Sequence, residues 1–242
     1  MFDSAIGLKK RYRDGDRLVG VSMPIATGKD HFDQILSADD YDFVSVDGQH
    51  SPLNEETLAA FCDMAAEADV FVNFRIKHTF LTYLIGNYLD LGPCGIEVPQ
   101  VESATTVDEA VKYFYYPQEG YRSVGGGHRR GNKRDGDFRG YAAFWNSFGV
   151  LWIQVESVDA VQNAHKLVRP GVDCVSFGPT DLALSLDSYP NHALKSLEDC
   201  VKYAVKSLEG TDVGICLRGY QPGIRHEYWD LGVQVVLEPP KV

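Results

Sequence analysis

The chain alternates short apolar runs with segments of helical period, and this alternation constrains its fold more than any other feature. Apolar runs of strand length fall at 18–23, 41–46, 70–74, 95–98, 150–155, 174–177, 213–216 and 233–237. They are rich in β-branched residues and mostly continuous, as strands covered on both faces should be. Helical periodicity occupies 54–67, 79–91, 106–115, 158–168, 193–208 and 222–231. Repeated strand–helix units predict one (β/α)8 TIM barrel domain over residues 1–242.

Two features depart from a regular repeat. The connection 117–137 is rich in glycine and in cations, and a long loop inside a compact domain is usually functional or mobile. After the eighth run the chain reaches only Val242, so the predicted barrel lacks an obvious eighth helix. We therefore expect the last strand to expose an apolar outer face, of the kind that marks an interface between subunits, among Val233, Val235, Val236 and Leu237.

Composition excludes several classes of function. The net charge of −11 argues against general binding to nucleic acids or to anionic membranes, because both carry negative charge. The charged start of the chain is unlike a signal peptide, and no stretch approaches the ~18 apolar residues of a membrane span. The five cysteines form no C-x-x-C pair. They indicate small core residues in a reducing compartment, and hence a cytoplasmic protein.

Unusual polar residues follow four of the apolar runs at their C-terminal ends. Asp47 and His50 follow the second run, Arg75 follows the third, and Gln154 with Glu156 follows the fifth. The segment 178–181, sequence GPTD, follows the sixth. In a barrel of parallel strands these ends meet around one mouth, where active sites are built. The pattern therefore predicts a site for metal-assisted chemistry on an acid.

Glu156 and Asp181 are candidate metal ligands. They end consecutive strands, and adjacent strands lie about 4.8 Å apart, so both carboxylates can contact one cation. Two protein oxygens completed by substrate and water suit Mg²⁺ or Mn²⁺. Each acid taken alone is also compatible with a helix N-cap or a solvated loop residue; their shared position at strand ends favours the metal.

Arg75 and His50 are candidate catalytic residues. The planar fork of Arg75 suits a two-point contact with a carboxylate, although a structural salt bridge inside the barrel is an alternative. His50 could act as a general base near neutral pH or serve as a hydrogen-bonded structural residue. His78 and His128 also lie in predicted loops around the mouth.

Several motifs together match a known family. They are VDGQH at 46–50, Arg75, LDLGPCG at 89–95, IEVPQVES at 96–103, the segment 117–126, IQVE at 153–156 and GVDCVSFGPTDL at 171–182. With these motifs the chain resembles the HpcH/HpaI aldolases, the class II pyruvate aldolases. The resemblance runs in order from about residue 18 to residue 237, and its last two motifs are the most specific.

The resemblance implies roles for most of the polar residues at the mouth. Glu156 and Asp181 would bind a divalent metal, Mg²⁺ or Mn²⁺ with Co²⁺ or Zn²⁺ as alternatives. Arg75 would hold the carboxylate and the keto oxygen of pyruvate. The rest of the pyruvate site would be lined by Gln154, Gly178, Pro179 and Thr180, and backbone N–H groups near Pro179, Thr180 and Asp181 would complete the carboxylate pocket.

The resemblance also implies an acid/base and an assembly. His50 would work with water as the acid/base, and Asp90 would support it from a neighbouring subunit. A homo-oligomer, a trimer or hexamer, follows from that second role. Departures from the family pattern are Gln49 in place of an acid, IKHT at 76–79, a one-residue longer spacing to Asp90, and the missing swapped terminal helix.

These observations predict a metal-dependent lyase. It would cleave or form a C–C bond next to a 2-oxo acid through a pyruvate enolate, with an aldehyde as the second small-molecule substrate. Two alternatives remain open at this stage. One is a metal-dependent decarboxylase of oxaloacetate-type acids, which needs the same enolate site but no alcohol base. The other is a barrel that binds a 2-oxo acid without catalysis.

Overall fold

The computed structural model describes residues 7–125, 137–219 and 225–242. Its strands form a closed parallel barrel in which chain neighbours pair in order and the last strand pairs with the first. The strands are β1 (Leu18–Met23), β2 (Phe43–Asp47), β3 (Phe71–Arg75), β4 (Gly95–Val98), β5 (Val150–Val155), β6 (Cys174–Phe177), β7 (Gly214–Arg218) and β8 (Val235–Glu238). The (β/α)8 TIM barrel is therefore confirmed, and all eight predicted runs form strands with small shifts at their ends.

One helix precedes β1 and covers the N-terminal end of the barrel, and helices that follow β1 to β7 cover its outside. They are α1 (Leu8–Arg13), α2 (Lys29–Ser37), α3 (Glu55–Glu67), a 3₁₀ helix (Thr79–Leu84), α4 (Ile85–Asp90), α5 (Ala104–Phe114), α6 (Phe138–Phe148), α7 (Val158–Gln162), α8 (Ala164–Leu167), α9 (Pro179–Ser188), α10 (Leu197–Ser207) and α11 (Arg225–Asp230). No helix follows β8 in the described part of the chain. Within the same ranges, no helix is long and apolar enough to cross a membrane.

The sequence analysis missed four of these helices, namely α1, α2, α6 and α9. Helix α1 has only six residues, most of them basic, and α9 opens directly from the strand-end motif at Pro179. Helices α2 and α6 each have an apolar face of helical period that the sequence analysis did not recognise. The predicted helix at 79–91 begins as a 3₁₀ helix, and the one at 193–208 begins only at Leu197, after the Ser196 cap. Residues 126–136, which include His128, and 222–224 lie outside the described ranges.

Apolar side chains form two cores that the sheet separates. The outer core lies between strands and helices. The inner core fills the barrel near the N-terminal ends of the strands, and its members include Leu18, Phe43, Trp152, Cys174 and Val235. Helix α1 covers that end with Leu8 and Tyr12. Polar side chains occupy the barrel interior above this apolar layer, toward the mouth where the active sites of such barrels are built.

A buried lysine anchors α1 to the barrel floor. Lys9 Nζ donates to Tyr115 Oη at 2.7 Å and to the Gly149 carbonyl at 2.7 Å, and it lies 3.3 Å from Asp173 Oδ2. Asp173 also accepts from the Leu151 N–H at 2.8 Å. Burial lowers the pKa of Lys9 and raises that of Asp173, and their mutual attraction opposes both shifts. Each charge is tolerated because the other is present.

The outer face of β8 corrects one expectation. Val233, Val235, Val236 and Leu237 are all buried within the single chain. Val236 packs in the outer core, while Val235 and Leu237 point into the barrel. The remaining side chain, Glu238, is buried against α11, where Arg225 Nε donates to its Oε1 at 2.9 Å. The prediction of an exposed apolar patch on β8 was therefore wrong, and the predicted homo-oligomer rests on the resemblance alone.

The anchor of α1 gives a stability prediction. Lys9→Met leaves the buried Asp173 carboxylate without its cation, so we expect a loss of about 3 kcal/mol in the free energy of unfolding. Lys10→Met removes a cation that is 63% exposed and pairs with Asp14, so it should cost less than about 0.5 kcal/mol. Urea denaturation of both variants measures the difference, and equal midpoints would contradict the assignment.

Candidate active site

Six consecutive strands send polar side chains into the upper part of the barrel. Each of the strands β2 to β7 contributes one of these side chains, which are, in order, Asp47, Arg75, Glu97, Gln154, Ser176 and Arg218. All are buried or half-buried. Charged and polar groups removed from water in this way must pair with one another or with a ligand. The arrangement is therefore a layer of polar side chains, bonded to one another, directly above the inner apolar core.

Arg75 is held by a carboxylate that the sequence analysis did not assign to it. Its Nε and Nη2 atoms donate to the two oxygens of Asp47 at 2.8 and 2.6 Å, and its Nη1 donates to Gln154 Oε1 at 3.2 Å. Burial raises the pKa of Asp47, but the bonds and charge of Arg75 outweigh it, so that pKa lies below its usual value. The structural salt bridge is thus real, and it leaves the Nη1 side of the fork facing Gln154.

A second ion pair crosses the barrel beneath the mouth. Glu97 is fully buried on β4; it accepts from Arg218 Nη2 and from Ser176 Oγ. The sequence analysis missed this pair. One signal was available, since Arg218 ends the seventh strand as Arg75 ends the third. Glu97, the acid inside the apolar GIEV run, was a second signal. A charged residue in a strand that is buried on both faces needs a partner of opposite charge.

The two predicted metal ligands lie together. Glu156 follows β5, and its side chain is buried except for a small fraction. Asp181 lies in the first turn of α9, exposed at the mouth. Burial first, and then repulsion from Asp181, raise the pKa of Glu156 to about 7, against the attraction of Arg75. A buried carboxyl whose pKa is raised by a neighbouring carboxylate lies at a place where negative charge favours a cation.

Backbone geometry fixes the Glu156 carboxylate. The Gln100 N–H donates to its Oε2 at 3.1 Å, from a residue with φ of 49°. A left-handed conformation is unfavourable for a residue with a Cβ, so the surrounding loop must hold it in place. On the other side, a Cβ at Gly178 would come within 2.0 Å of Glu156 Oε1. The Gly178 N–H itself donates to the Val155 carbonyl, so this glycine provides space rather than a hydrogen bond to substrate.

The donor set fits a hard divalent cation. Within the described ranges no group of three metal-binding His, Cys, Asp or Glu side chains occurs, so protein would supply only the two carboxylates. Mg²⁺ and Mn²⁺ are commonly held in this way, with substrate and water completing the shell. Gln154 Nε2 is buried without a hydrogen-bond partner beside Arg75, which marks a place for an acceptor atom of a ligand.

A cavity of about 550 Å³ opens beside the carboxylate pair. Glu156 and Asp181 form part of its wall, and the loops after β3 and β4 form another part with His78, Phe80, Gln100 and Glu102. Arg75 and Gln154 are not among its lining residues. The carboxylate pair therefore faces two regions, the paired Arg75–Gln154 layer below and this open cavity to one side.

Comparison with known proteins identifies the family. Residues 27–212 match the HpcH/HpaI aldolase/citrate lyase family. The chain belongs to this family. A hydroxypyruvate/pyruvate aldolase of Chromohalobacter salexigens is 34% identical over 172 residues, which cover 70% of this chain and 66% of that protein. A 2-keto-3-deoxy-L-rhamnonate aldolase of Escherichia coli is 30% identical over 187 residues, which cover 76% of this chain and 68% of the relative.

Solved structures agree with this membership. The HpcH/HpaI aldolase from Desulfitobacterium hafniense DCB-2 superposes with a TM-score of 0.84 at 25% identity, covering 97% of this chain and 90% of that chain. Macrophomate synthase gives a TM-score of 0.79 at 20% identity, covering 96% of this chain and 83% of that chain, which shows a shared fold. The resemblance found in the sequence is confirmed, and it places the chain among aldolases and citrate lyases.

His50, the residue for which the resemblance implies the acid/base role, lies apart from the carboxylate pair's cavity. His50 lies beyond the end of β2 with an exposed side chain, and it does not line the cavity beside Glu156. Its backbone N–H, like that of Gln49, donates to the Asp47 carboxylate. The VDGQH loop therefore fixes Asp47, which in turn holds Arg75. The role of His50 as the base stays a prediction.

Asp90 lies away from the mouth of its own chain. It is the last residue of α4, which leads into the N-terminal end of β4. There it accepts from Arg122 Nη2 at 2.7 Å, and the buried Arg122 guanidinium stacks over the rings of Tyr116 and Trp145. Within one chain this is a structural ion pair. A catalytic role for Asp90 requires a second subunit and stays a prediction.

Gly178 gives a prediction for the site itself. Gly178→Ala should force the Glu156 side chain to move, because the added Cβ overlaps its carboxylate, while the local φ of −96° suits alanine. We expect divalent-metal affinity to fall at least about tenfold with an unchanged circular dichroism spectrum. Gly28→Ala, which meets nothing within 4 Å, is the matched control. Calorimetric titration with Mn²⁺ that gave equal affinities for both variants would exclude this role.

Proposed function

We propose that the chain is a metal-dependent aldolase that cleaves or forms a C–C bond next to a 2-oxo acid. The observation that carries this proposal is the position of Glu156, whose carboxyl is subject to the charges of both Asp181 and Arg75 and which lies two residues after Gln154, the partner of Arg75. A carboxylate pair that favours a cation next to a held arginine suits a 2-oxo acid, whose carboxylate and keto oxygen need both. Pyruvate in the name of the Chromohalobacter salexigens relative supports the same substrate class.

In this proposal, the residues at the mouth have separate roles in binding the metal and the 2-oxo acid. Glu156 and Asp181 would hold Mg²⁺ or Mn²⁺, which as a Lewis acid would polarise the keto group of the substrate. Arg75 would place positive charge where negative charge develops on the keto oxygen, and Asp47 keeps it oriented for that purpose. Gln154 Nε2 would donate to the bound acid, which would satisfy a group that is otherwise buried without a partner. Gly178, Pro179 and Thr180 would border the same pocket.

The pKa of Glu156 sets a pH dependence for metal binding. This carboxyl has a pKa of about 7 without metal, above the ordinary value of 4.5. A cation binds the ionised form, so a proton competes with it below pH 7. Affinity for the metal should therefore fall as the pH drops through about 7 and should level off above it.

Asp181 provides the test of metal dependence. Asp181→Asn removes one charged ligand, so we expect Mn²⁺ affinity to fall at least about 100-fold and aldol cleavage of a 4-hydroxy-2-oxo acid to be nearly lost. Asp187→Asn changes the same residue type further along α9, at an exposed position, and should behave like the unaltered protein. Calorimetry and a coupled pyruvate assay measure the two effects. Unchanged metal affinity in Asp181→Asn would refute the metal site.

One observation favours a second function, the decarboxylation of an oxaloacetate-type acid. His50 is exposed and stands apart from the cavity that adjoins Glu156. Decarboxylation of a 2-oxo diacid needs the same cation and arginine but no base for an alcohol. A homo-oligomer, a trimer or hexamer that brings Asp90 of one subunit to the mouth of another, remains part of the aldolase proposal.

His50 separates the two reactions. If His50 is the base for the 4-hydroxyl, His50→Ala should reduce kcat/KM for aldol cleavage by about 10²-fold or more and oxaloacetate decarboxylation far less. His165→Ala alters another exposed histidine, on α8, and controls for general effects. Losses of equal size in both reactions would show that His50 acts on the VDGQH loop rather than as a base. Decarboxylation without any aldol cleavage in the unaltered protein would favour the second function.

A further inference from the structure

The cavity beside Glu156 and Asp181 is a region that the proposed roles of the pyruvate-binding residues leave unused. Arg75 and Gln154 lie outside its lining, so a 2-oxo acid held by them would occupy a different region. The cavity shares only the carboxylate pair with that region. A volume of about 550 Å³ exceeds what water alone requires and can admit a small organic molecule. Its position suits the second substrate of an aldol reaction.

The charge of the cavity wall is one-sided. Glu102, Glu156 and Asp181 line it, and none of the described residues in the lining is a lysine or arginine. Lys77, next to the wall, directs its ammonium to the Leu53 carbonyl at 3.2 Å. A divalent cation would offset the charges of Glu156 and Asp181, but Glu102 is exposed and forms no ion pair in the described part of the chain. A second substrate that carries a carboxylate would meet net repulsion here.

The remaining lining offers hydrogen bonds to hydroxyl groups. Thr79, Ser103, Thr106 and Ser157 bring hydroxyls to the lining. Ser157 accepts the Ala160 N–H and keeps its own O–H as a donor, while Ser103 and Thr106 bond to each other at 3.0 Å and leave one O–H of the pair to donate. His78 accepts the Phe80 N–H through Nδ1 at 3.0 Å, so its neutral ring carries the proton on Nε2 and can donate there. These groups recognise hydroxyl and carbonyl oxygens without requiring a charge.

Phe80 adds an apolar surface at the edge of the same cavity. Its ring is 81% exposed, and it packs edge-on against His78 with centroids 4.6 Å apart. A large aromatic side chain left in solvent beside a polar cavity is suited to cover the C–H face of a small hydroxylated molecule. The same loop carries the IKHT sequence by which this chain departs from the family pattern.

We propose that this cavity is the acceptor site and that it selects an uncharged, hydroxyl-bearing aldehyde over an aldehyde that carries its own carboxylate. This inference rests on the proposed aldolase function and specifies its second substrate. Glu102 is the specificity-determining residue, because it is the carboxylate that the cation does not offset. His78 donates from Nε2 to an oxygen of the aldehyde, and Phe80 covers its carbon chain.

The test compares an uncharged and an anionic aldehyde that differ only at their terminal carbon. Glyceraldehyde and tartronate semialdehyde have the same carbon chain, with CH2OH in the first and a carboxylate in the second. We expect kcat/KM for addition to pyruvate, with Mn²⁺, to favour glyceraldehyde by roughly fivefold or more at low salt. Glu102→Gln should reduce this preference by roughly fivefold, chiefly through a lower KM for the anionic aldehyde. Glu67→Gln, the same change at the exposed end of α3, should leave the preference as it is.

The outcomes of these measurements support or overturn the acceptor assignment as follows. A preference that Glu102→Gln does not alter, or a better reaction with tartronate semialdehyde in the unaltered protein, overturns the acceptor assignment. A preference that also shrinks when salt is added to the unaltered protein supports it without any variant, since salt screens charge repulsion. Exchange of the pyruvate methyl protons in D2O, with the protein and Mn²⁺ but no aldehyde, followed by NMR, tests formation of the pyruvate enolate separately. If exchange occurs while acceptor preference ignores Glu102, only this inference fails.

Discussion

The Arg75 guanidinium has two of its nitrogens on the Asp47 carboxylate and the third on Gln154, and most of the mouth depends on this arrangement. The contacts join β2, β3 and β5 at their carboxyl ends. A long flexible side chain is thereby held in one orientation before any ligand arrives, which removes an entropy cost from binding. The positive charge also moderates the proton affinity of Glu156. Without Asp47, the Arg75 guanidinium could turn to either of the nearby glutamates, Glu97 or Glu156. An ion pair with Glu156 would neutralise a carboxylate that the proposed metal site needs.

The sequence was sufficient to predict the barrel because the strands of a parallel sheet covered on both faces are continuous apolar runs. All eight could be recognised from composition alone, and the two-residue errors lie at their ends, where tertiary contacts decide the boundary. The helices were harder. Helix α6 is built from aromatic residues and follows a glycine-rich segment, and α9 opens from a motif whose residues also suit chemistry. The expected exposed face of β8 failed for another reason: α11 and the buried pair of Arg225 and Glu238 cover it, a contact between segments that local sequence does not reveal.

The candidate site shows a similar division. Strand ends predicted correctly that Arg75, Gln154, Glu156 and Asp181 would share one mouth, because topology alone brings them there. The ion-pair partners were not assigned. Asp47 meets Arg75 through the register of two neighbouring strands, and Glu97 meets Arg218 across the barrel because both side chains point inward. His50 illustrates the limit of motif arguments. Its motif is present, yet the structure shows its backbone holding Asp47 while its side chain remains in solvent. The space made by Gly178 was likewise invisible, because a missing Cβ matters only once its neighbour is known.

The anchor of α1 has a consequence for the order in which the molecule is built. Lys9 is made early, but its partners are separated from it by 106 residues for Tyr115 and by 140 for Gly149, and Asp173 lies further still along the chain. During synthesis from the N-terminus, the first helix must therefore wait, with its charged and apolar faces in solvent, until β6 has emerged. Closure of the barrel floor is then a late event that joins α1 to segments made well after it. Contacts of such long range form slowly, so the docking of α1 is expected among the last steps of folding.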